Sequence, residues 1–177
     1  MKFKKKNSIG IFGGSFDPPH MAHLQIASLS LKKVKLKKIY WIITKKNPFK
    51  RKTLYSLKER IKKSREILKA NKKIKILFLD HKLKSSRTID IIYYFRNIKK
   101  QKNLYLILGS DNLLSFHKWK NWKKIVKFSK LVVFSRRGYV TKGKESTVVK
   151  YLKKKNIIFL NNKFLNISSS KIRKTFQ

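Results

Sequence analysis

The sequence predicts an α/β fold: one doubly wound, mainly parallel sheet with helices on both faces. Three observations carry that expectation. Short apolar runs alternate with helical periodicities from end to end, the pattern of repeated βαβ units. Two of the apolar runs stop at glycine, at Gly13-Gly14 and at Gly109, where a strand turns into a loop. Hydrophobic residues make up 41% of 177 positions, with twelve Phe, seven Tyr and three Trp, and a chain of this size can bury roughly 70% of its unfolded surface.

The elements follow in order. Asn7 to Phe12 reads as a short apolar strand ending in Gly13-Gly14. Met21 to Lys33 carries Leu24, Ile26, Ala27, Leu29 and Leu31, as a mostly buried helix does. Lys38 to Ile43 is an aromatic and β-branched strand, and Thr44 to Tyr55 a polar loop containing Pro48. Ser56 to Ala70 is helical, with Leu57, Ile61, Ile67 and Leu68 on or near one face, and Ser56 with Glu59 forms a capping box. Strands are expected at Lys73 to Leu79, Asn103 to Leu108, Lys130 to Ser135 and Asn156 to Leu160. Thr88 to Ile98 is a helix, Asp111 to Lys127 a broken helix, and Ser168 opens a last short one. Neither a repeat nor a linker interrupts this alternation, so residues 1–177 are read as one domain. In such sheets ligands bind beyond the carboxyl ends of the strands. Residues 13 to 23, 44 to 50, 80 to 88, 109 to 119 and 135 to 139 are therefore the ones to read for chemistry.

Composition removes several classes. The absence of Cys excludes a disulfide scaffold, a thiolate nucleophile and a Cys-based zinc site. Nowhere do about 18 apolar residues run uninterrupted, and glycines with Asp17 break the N-terminal apolar run, so the expectation is a cytoplasmic protein with no membrane partner. Lys plus Arg number 48 against seven Asp plus Glu, a net charge of +41. Such a field attracts polyanions, but the lysines are spread over nearly every segment, without a localised Arg and aromatic stripe or a nucleic-acid module. A Lys-rich solvated surface is the preferred reading, and no specific nucleic-acid partner is expected.

Gly13-Gly14-Ser15-Phe16-Asp17-Pro18-Pro19-His20-Met21-Ala22-His23 joins the first strand to the first helix. Two glycines let a backbone approach a ligand, and free N–H groups at a helix start favour an anion. His20 and His23, three apart, can point as donors at one phosphate chain; they also fit a metal site or two unrelated surface histidines. This string resembles the signature GG(S/T)FDPxHxGH of the nucleotidylyltransferases with the His-x-Gly-His motif, with Ala22 where Gly is usual. Near the other end, Ile167-Ser168-Ser169-Ser170-Lys171-Ile172-Arg173 resembles the same superfamily's ISSTxIR segment, Ser170 standing at the Thr position. Alone, three serines are commonly a helix cap.

The middle of the chain resembles the nicotinate-nucleotide adenylyltransferase branch. Gly109-Ser110-Asp111-Asn112, followed by Trp119, is similar to its GxD…W segment, although Asp111 alone fits a helix cap and Trp119 a core aromatic. Asn47-Pro48-Phe49-Lys50 matches the loop after the second strand, and Ser85 to Asp90 the S-Y-T-x-D-T segment, with Thr88 matched and Arg87 in place of Tyr. Ser135 to Tyr139 resembles an Arg-rich, Gly-Tyr stretch containing Arg136. Together the resemblances run from residue 9 to residue 173.

They imply a Rossmann-like fold and transfer of AMP from ATP to nicotinate mononucleotide, with Mg²⁺ travelling with ATP. They assign His20, His23, Lys50 and Arg173 to catalysis. Gly13, Gly14, Ser15, Phe16, Gly109, Asp111, Ser169 and Ser170 join the two histidines and Arg173 in holding ATP. Ser15, Lys50, Thr88, Trp119 and Arg136 fall to the mononucleotide, and no residue to a metal. The alternatives are a phosphopantetheine adenylyltransferase of the same superfamily and a non-catalytic basic nucleic-acid-binding protein. Homo-oligomerisation is left open.

Overall fold

A computed structural model describes residues 7–45, 53–68, 71–161, 169 and 172. Lys50, Ser170 and Arg173 lie outside the described residues, as does Ser168. Six strands form one sheet: β1 (Ile9–Gly14), β2 (Lys38–Ile43), β3 (Ile74–Leu77), β4 (Leu104–Gly109), β5 (Ser129–Phe134) and β6 (Ile157–Leu160). Every pairing is parallel, in the order β3-β2-β1-β4-β5-β6. This is the Rossmann-like arrangement, and its order reverses between β1 and β4.

Side chains alternate between two core layers. Ile9, Ile11, Ile42, Leu104, Leu106, Leu108, Leu131 and Val133 face one, with Ile89 and Ile92 from α4 (Thr88–Tyr93), Leu113 from α5 (Ser110–Ser115), Ile125 from α6 (Trp122–Phe128) and Val148 from α8 (Thr147–Leu152). Phe12, Ile39, Trp41, Ile43, Ile107, Val132 and Phe134 face the other, with Ile26 and Ala27 from α1 (Met21–Val34) and Leu68 from α2 (Leu57–Leu68). Burying each large apolar side chain contributes about 1.5–3 kcal/mol, so both faces need helical cover. Ser56 and Glu59 form the expected capping box at the start of α2: the Ser56 N–H donates to Glu59 Oε2 at 2.8 Å and the Glu59 N–H to Ser56 Oγ at 3.3 Å.

The structure departs from the sequence reading in its short elements. The third strand ends at Leu77, and the chain enters a single turn, α3 (Asp80–Leu83). The helix expected over 88–98 is α-helical only to Tyr93; from Tyr94 to Ile98 it widens, and the Lys99 N–H reaches back five residues to Tyr94 O. Between β5 and β6 lie two helices the sequence reading did not contain, α7 (Val140–Lys144) and α8. Helices of five or six residues do not repeat an apolar stripe. No described helix is long and apolar enough to cross a membrane.

Candidate active site

The carboxyl ends of β1 and β4 open onto the crevice that the strand reversal creates. Two glycines of β1 differ in purpose. A Cβ at Gly10 would stand 2.9 Å from Ile39 and Leu36, so that glycine serves packing. A Cβ at Gly13 would meet nothing within 4 Å among the described residues, at the end of the strand. After Gly14 the chain turns through Phe16 at φ +46°, a conformation rare outside glycine. Packing holds it there, with the Phe16 ring stacked on Trp41 at 4.2 Å and edge-on to Phe12 at 5.3 Å and His23 at 5.0 Å.

His20 is the N-cap residue of α1, with extended backbone, and His23 lies in the first helical turn. Their rings lie 3.8 Å apart, tilted by 30°. The His20 N–H donates to His23 Nδ1 at 3.3 Å. With Nδ1 accepting, a neutral His23 ring carries its proton on Nε2 and presents that nitrogen as a donor. His20 is buried, and among the described residues neither ring nitrogen has a hydrogen-bond partner. Burial first, and Arg136 second, hold its pKa down to about 4. Ala22 occupies the first turn of α1 in helical conformation, where glycine is not required. Together the helix start and imidazoles offer donors to an anion. Among the described residues no three His, Cys, Asp or Glu cluster as metal ligands.

The distant serine motif reaches this turn. Ser169 Oγ donates to Pro18 O at 2.9 Å, joining residues 151 positions apart. From β4, Gly109 leads into α5 and places Asp111 in its first turn. Asp111 Oδ2 accepts from Arg136 Nη1 at 3.2 Å, and the Arg136 N–H donates to Ser110 Oγ at 2.9 Å. The pair is partly exposed, so it orients more than it stabilises. Arg136 is also the charge felt by His20. Gly13, Gly14, Ser15, Phe16, His20, His23, Gly109, Asp111, Arg136 and Ser169 are thus linked by contact, field or strand end around the crevice. Thr88 and Trp119 stand apart from that chain of contacts: Thr88 opens α4, and Trp119 precedes α6, which packs on α4. Phe116 covers one face of the Trp119 indole at 4.7 Å, and among the described residues its buried Nε1 has no partner.

Sequence reasoning missed Arg60. It lies on α2, 1% exposed, and donates to four backbone carbonyls, those of Ser15, Thr44, Lys45 and Tyr55. Burial lowers its pKa, while Asp17 and Asp80 oppose that shift. The available signal was an Arg on the stripe of Leu57, Ile61 and Leu68, with Ser64 one turn on; both Arg60 and Ser64 are buried.

The parallel sheet reverses at β1/β4, Ser169 meets the turn after β1, and the chain belongs to the cytidylyltransferase-like family, a class of nucleotidylyltransferases, whose model matches residues 11–175. A Pelagibacter ubique (strain HTCC1062) protein named "Probable nicotinate-nucleotide adenylyltransferase" is 46% identical over 171 residues, covering 97% of this chain and 94% of that protein. A Ruegeria sp. (strain TM1040) protein of the same name is 35% identical over 131 residues, 74% of this chain and 69% of the relative. Among solved structures, Plasmodium falciparum nicotinic acid mononucleotide adenylyltransferase complexed with NaAD superposes with a TM-score of 0.74 at 25% identity, over 95% of this chain and 83% of that one. Within the family, the chain falls with the nicotinate-nucleotide adenylyltransferases.

Proposed function

We propose that residues 1–177 act as one nucleotidylyltransferase domain that joins ATP to nicotinate mononucleotide, giving nicotinate adenine dinucleotide and pyrophosphate. The observation that supports this reading is the Ser169–Pro18 hydrogen bond, which joins Ser169 to the turn after β1. The mononucleotide phosphate attacks the α-phosphorus of ATP, and pyrophosphate leaves. That phosphate has a second pKa of about 6, so it is a nucleophile at neutral pH without a general base. The chemistry left to the protein is alignment of two anions and stabilisation of the leaving charge.

The residue types suit that task. His20 and His23, side by side at the start of α1, hold the triphosphate together with Ser169, Ser170 and Arg173. Gly13, Gly14, Ser15 and Phe16 carry it along the backbone, and Gly109 with Asp111 meets the nucleoside. Lys50 neutralises the meeting phosphates, while Ser15, Thr88, Trp119 and Arg136 receive the mononucleotide. Mg²⁺ belongs to ATP, held by phosphate oxygens and water. The nearby carboxylates fit that division, because Asp17 is engaged by the Leu54 and Tyr55 amides and Asp111 by Arg136. The reading includes a cytoplasmic location.

Pyrophosphate release with ATP and each of nicotinate mononucleotide, nicotinamide mononucleotide and phosphopantetheine tests the proposal. The highest kcat/KM is expected with nicotinate mononucleotide; preference for phosphopantetheine overturns it. His23→Ala is expected to lower kcat by about 10²-fold or more with the fold retained, and wild-type turnover in that variant removes the role of His23.

A further inference from the structure

Among the described residues, Arg60 is the only Lys or Arg that is buried, in a chain holding 48. Its hydrogen bonds run to backbone carbonyls of three segments. Nη1 donates to Ser15 O at 2.6 Å, in the turn after β1, and to Thr44 O at 2.8 Å, just past β2. Nη2 donates to Lys45 O at 3.1 Å and Nε to Tyr55 O at 3.2 Å, before α2. Carboxylates hold the matching amides. Asp17 accepts from the Leu54 and Tyr55 N–H groups, both at 2.9 Å, and Asp80 Oδ2 accepts from the Lys45 N–H at 2.8 Å. A further bond, from the Thr44 N–H to Gly14 O at 3.0 Å, ties the same two strand ends directly.

This arrangement determines which way the peptide groups after β1 and β2 present their charge. A carbonyl oxygen turned toward a bound polyphosphate repels it, whereas an N–H attracts it. Arg60 draws the Ser15 and Thr44 oxygens to itself. Peptide planarity then sends the Phe16 N–H, in the same plane as the Ser15 carbonyl, in the opposite direction, away from the guanidinium. The strained turn at Phe16 is thereby fixed from below by Arg60 and from the side by Trp41.

We propose that Arg60 is a positioning residue for nucleotidyl transfer: without touching substrate, it sets the backbone after β1 and β2 so that this edge of the sheet accepts a nucleoside triphosphate. The inference rests on the reading above that the Gly13–His23 turn receives ATP.

Arg60→Lys and Arg60→Met test it. Lysine keeps the charge but cannot direct donors to four carbonyls from a planar fork; methionine keeps length alone. Steady-state kinetics at a temperature where each variant is folded are combined with hydrogen exchange of peptides spanning residues 13–23. Displacement of a reacting group by about 1 Å costs about 10²-fold, and a loss of that order in kcat/KM is expected for Arg60→Lys, with the KM for ATP raised. Exchange across residues 13–23 is expected to quicken while β4 and β5 stay protected. A folded Arg60→Lys with wild-type kcat, KM and exchange overturns the proposal, and it decides the matter if Arg60→Met does not fold. Wild-type protein releasing no pyrophosphate overturns adenylyl transfer instead, and exchange still judges Arg60.

Discussion

Acidification should unfold this protein partly through His20. The imidazole is buried, and burial together with Arg136 depresses its pKa from 6.5 to about 4. In the unfolded chain the ring protonates at its ordinary value, so between these two pKa values the unfolded state binds the extra proton. Stability present above pH 6.5 is therefore lost as the pH falls, and the loss levels off below about pH 4. At 1.36 kcal/mol per unit, the shift corresponds to about 3 kcal/mol in full, of which about 2 kcal/mol is gone by pH 5. Urea denaturation of wild type and His20→Asn between pH 7 and pH 4 measures it. Titrations elsewhere act on both proteins and cancel in the difference. Wild type should lose about 2 kcal/mol relative to the variant between pH 7 and pH 5. A difference that stays constant over that interval would show that His20 is no less basic in the fold than in the open chain, and would remove the argument from burial.

Three substitutions probe the rest of the crevice. Gly13→Ala adds a methyl where no atom of the described residues lies within 4 Å, so stability should hold within about 0.5 kcal/mol while the KM for ATP rises, read from a urea titration and initial rates. Gly109→Ala drives a Cβ into the Asp111 carboxylate and to 3.2 Å from Arg136 Nε; because these are ends of partly exposed side chains that can move, it should cost no more than about 1 kcal/mol of stability yet lower kcat/KM by breaking the Asp111–Arg136 pair. Ser169→Ala removes the bond to Pro18 O and should cost about 1 kcal/mol in urea denaturation.

The sheet was legible because each strand is a short apolar run that ends near a turn, and strands separated by helices pair in parallel. The turn after β1 was legible as a unit because Gly13 to His23 resembles one family signature, and the fold does bring Phe16, His20 and His23 together there. Arg60 was not, since one Arg among 48 basic residues carries no signal until its helix is docked and its face is known. The widened turn at Tyr94–Ile98 and the short helices α3, α7 and α8 escaped for a different reason: tertiary packing, not periodicity, holds them. Gly143 illustrates this. A Cβ there would sit 2.9 Å from Ser110 O, so α7 exists where it does because it can lie directly on α5, a contact between residues more than thirty apart. The chain has only seven acidic residues, and Asp17, Asp80 and Asp111 each fasten a loop at the carboxyl edge of the sheet.

The link between Ser169 and Pro18 also has a temporal consequence. A ribosome makes the first partner early and the second 151 residues later. All six strands, the last ending at Leu160, have been translated before the closing serine. The tie between the two ends of the chain is therefore made late in synthesis, after the sequence of the whole sheet has been assembled.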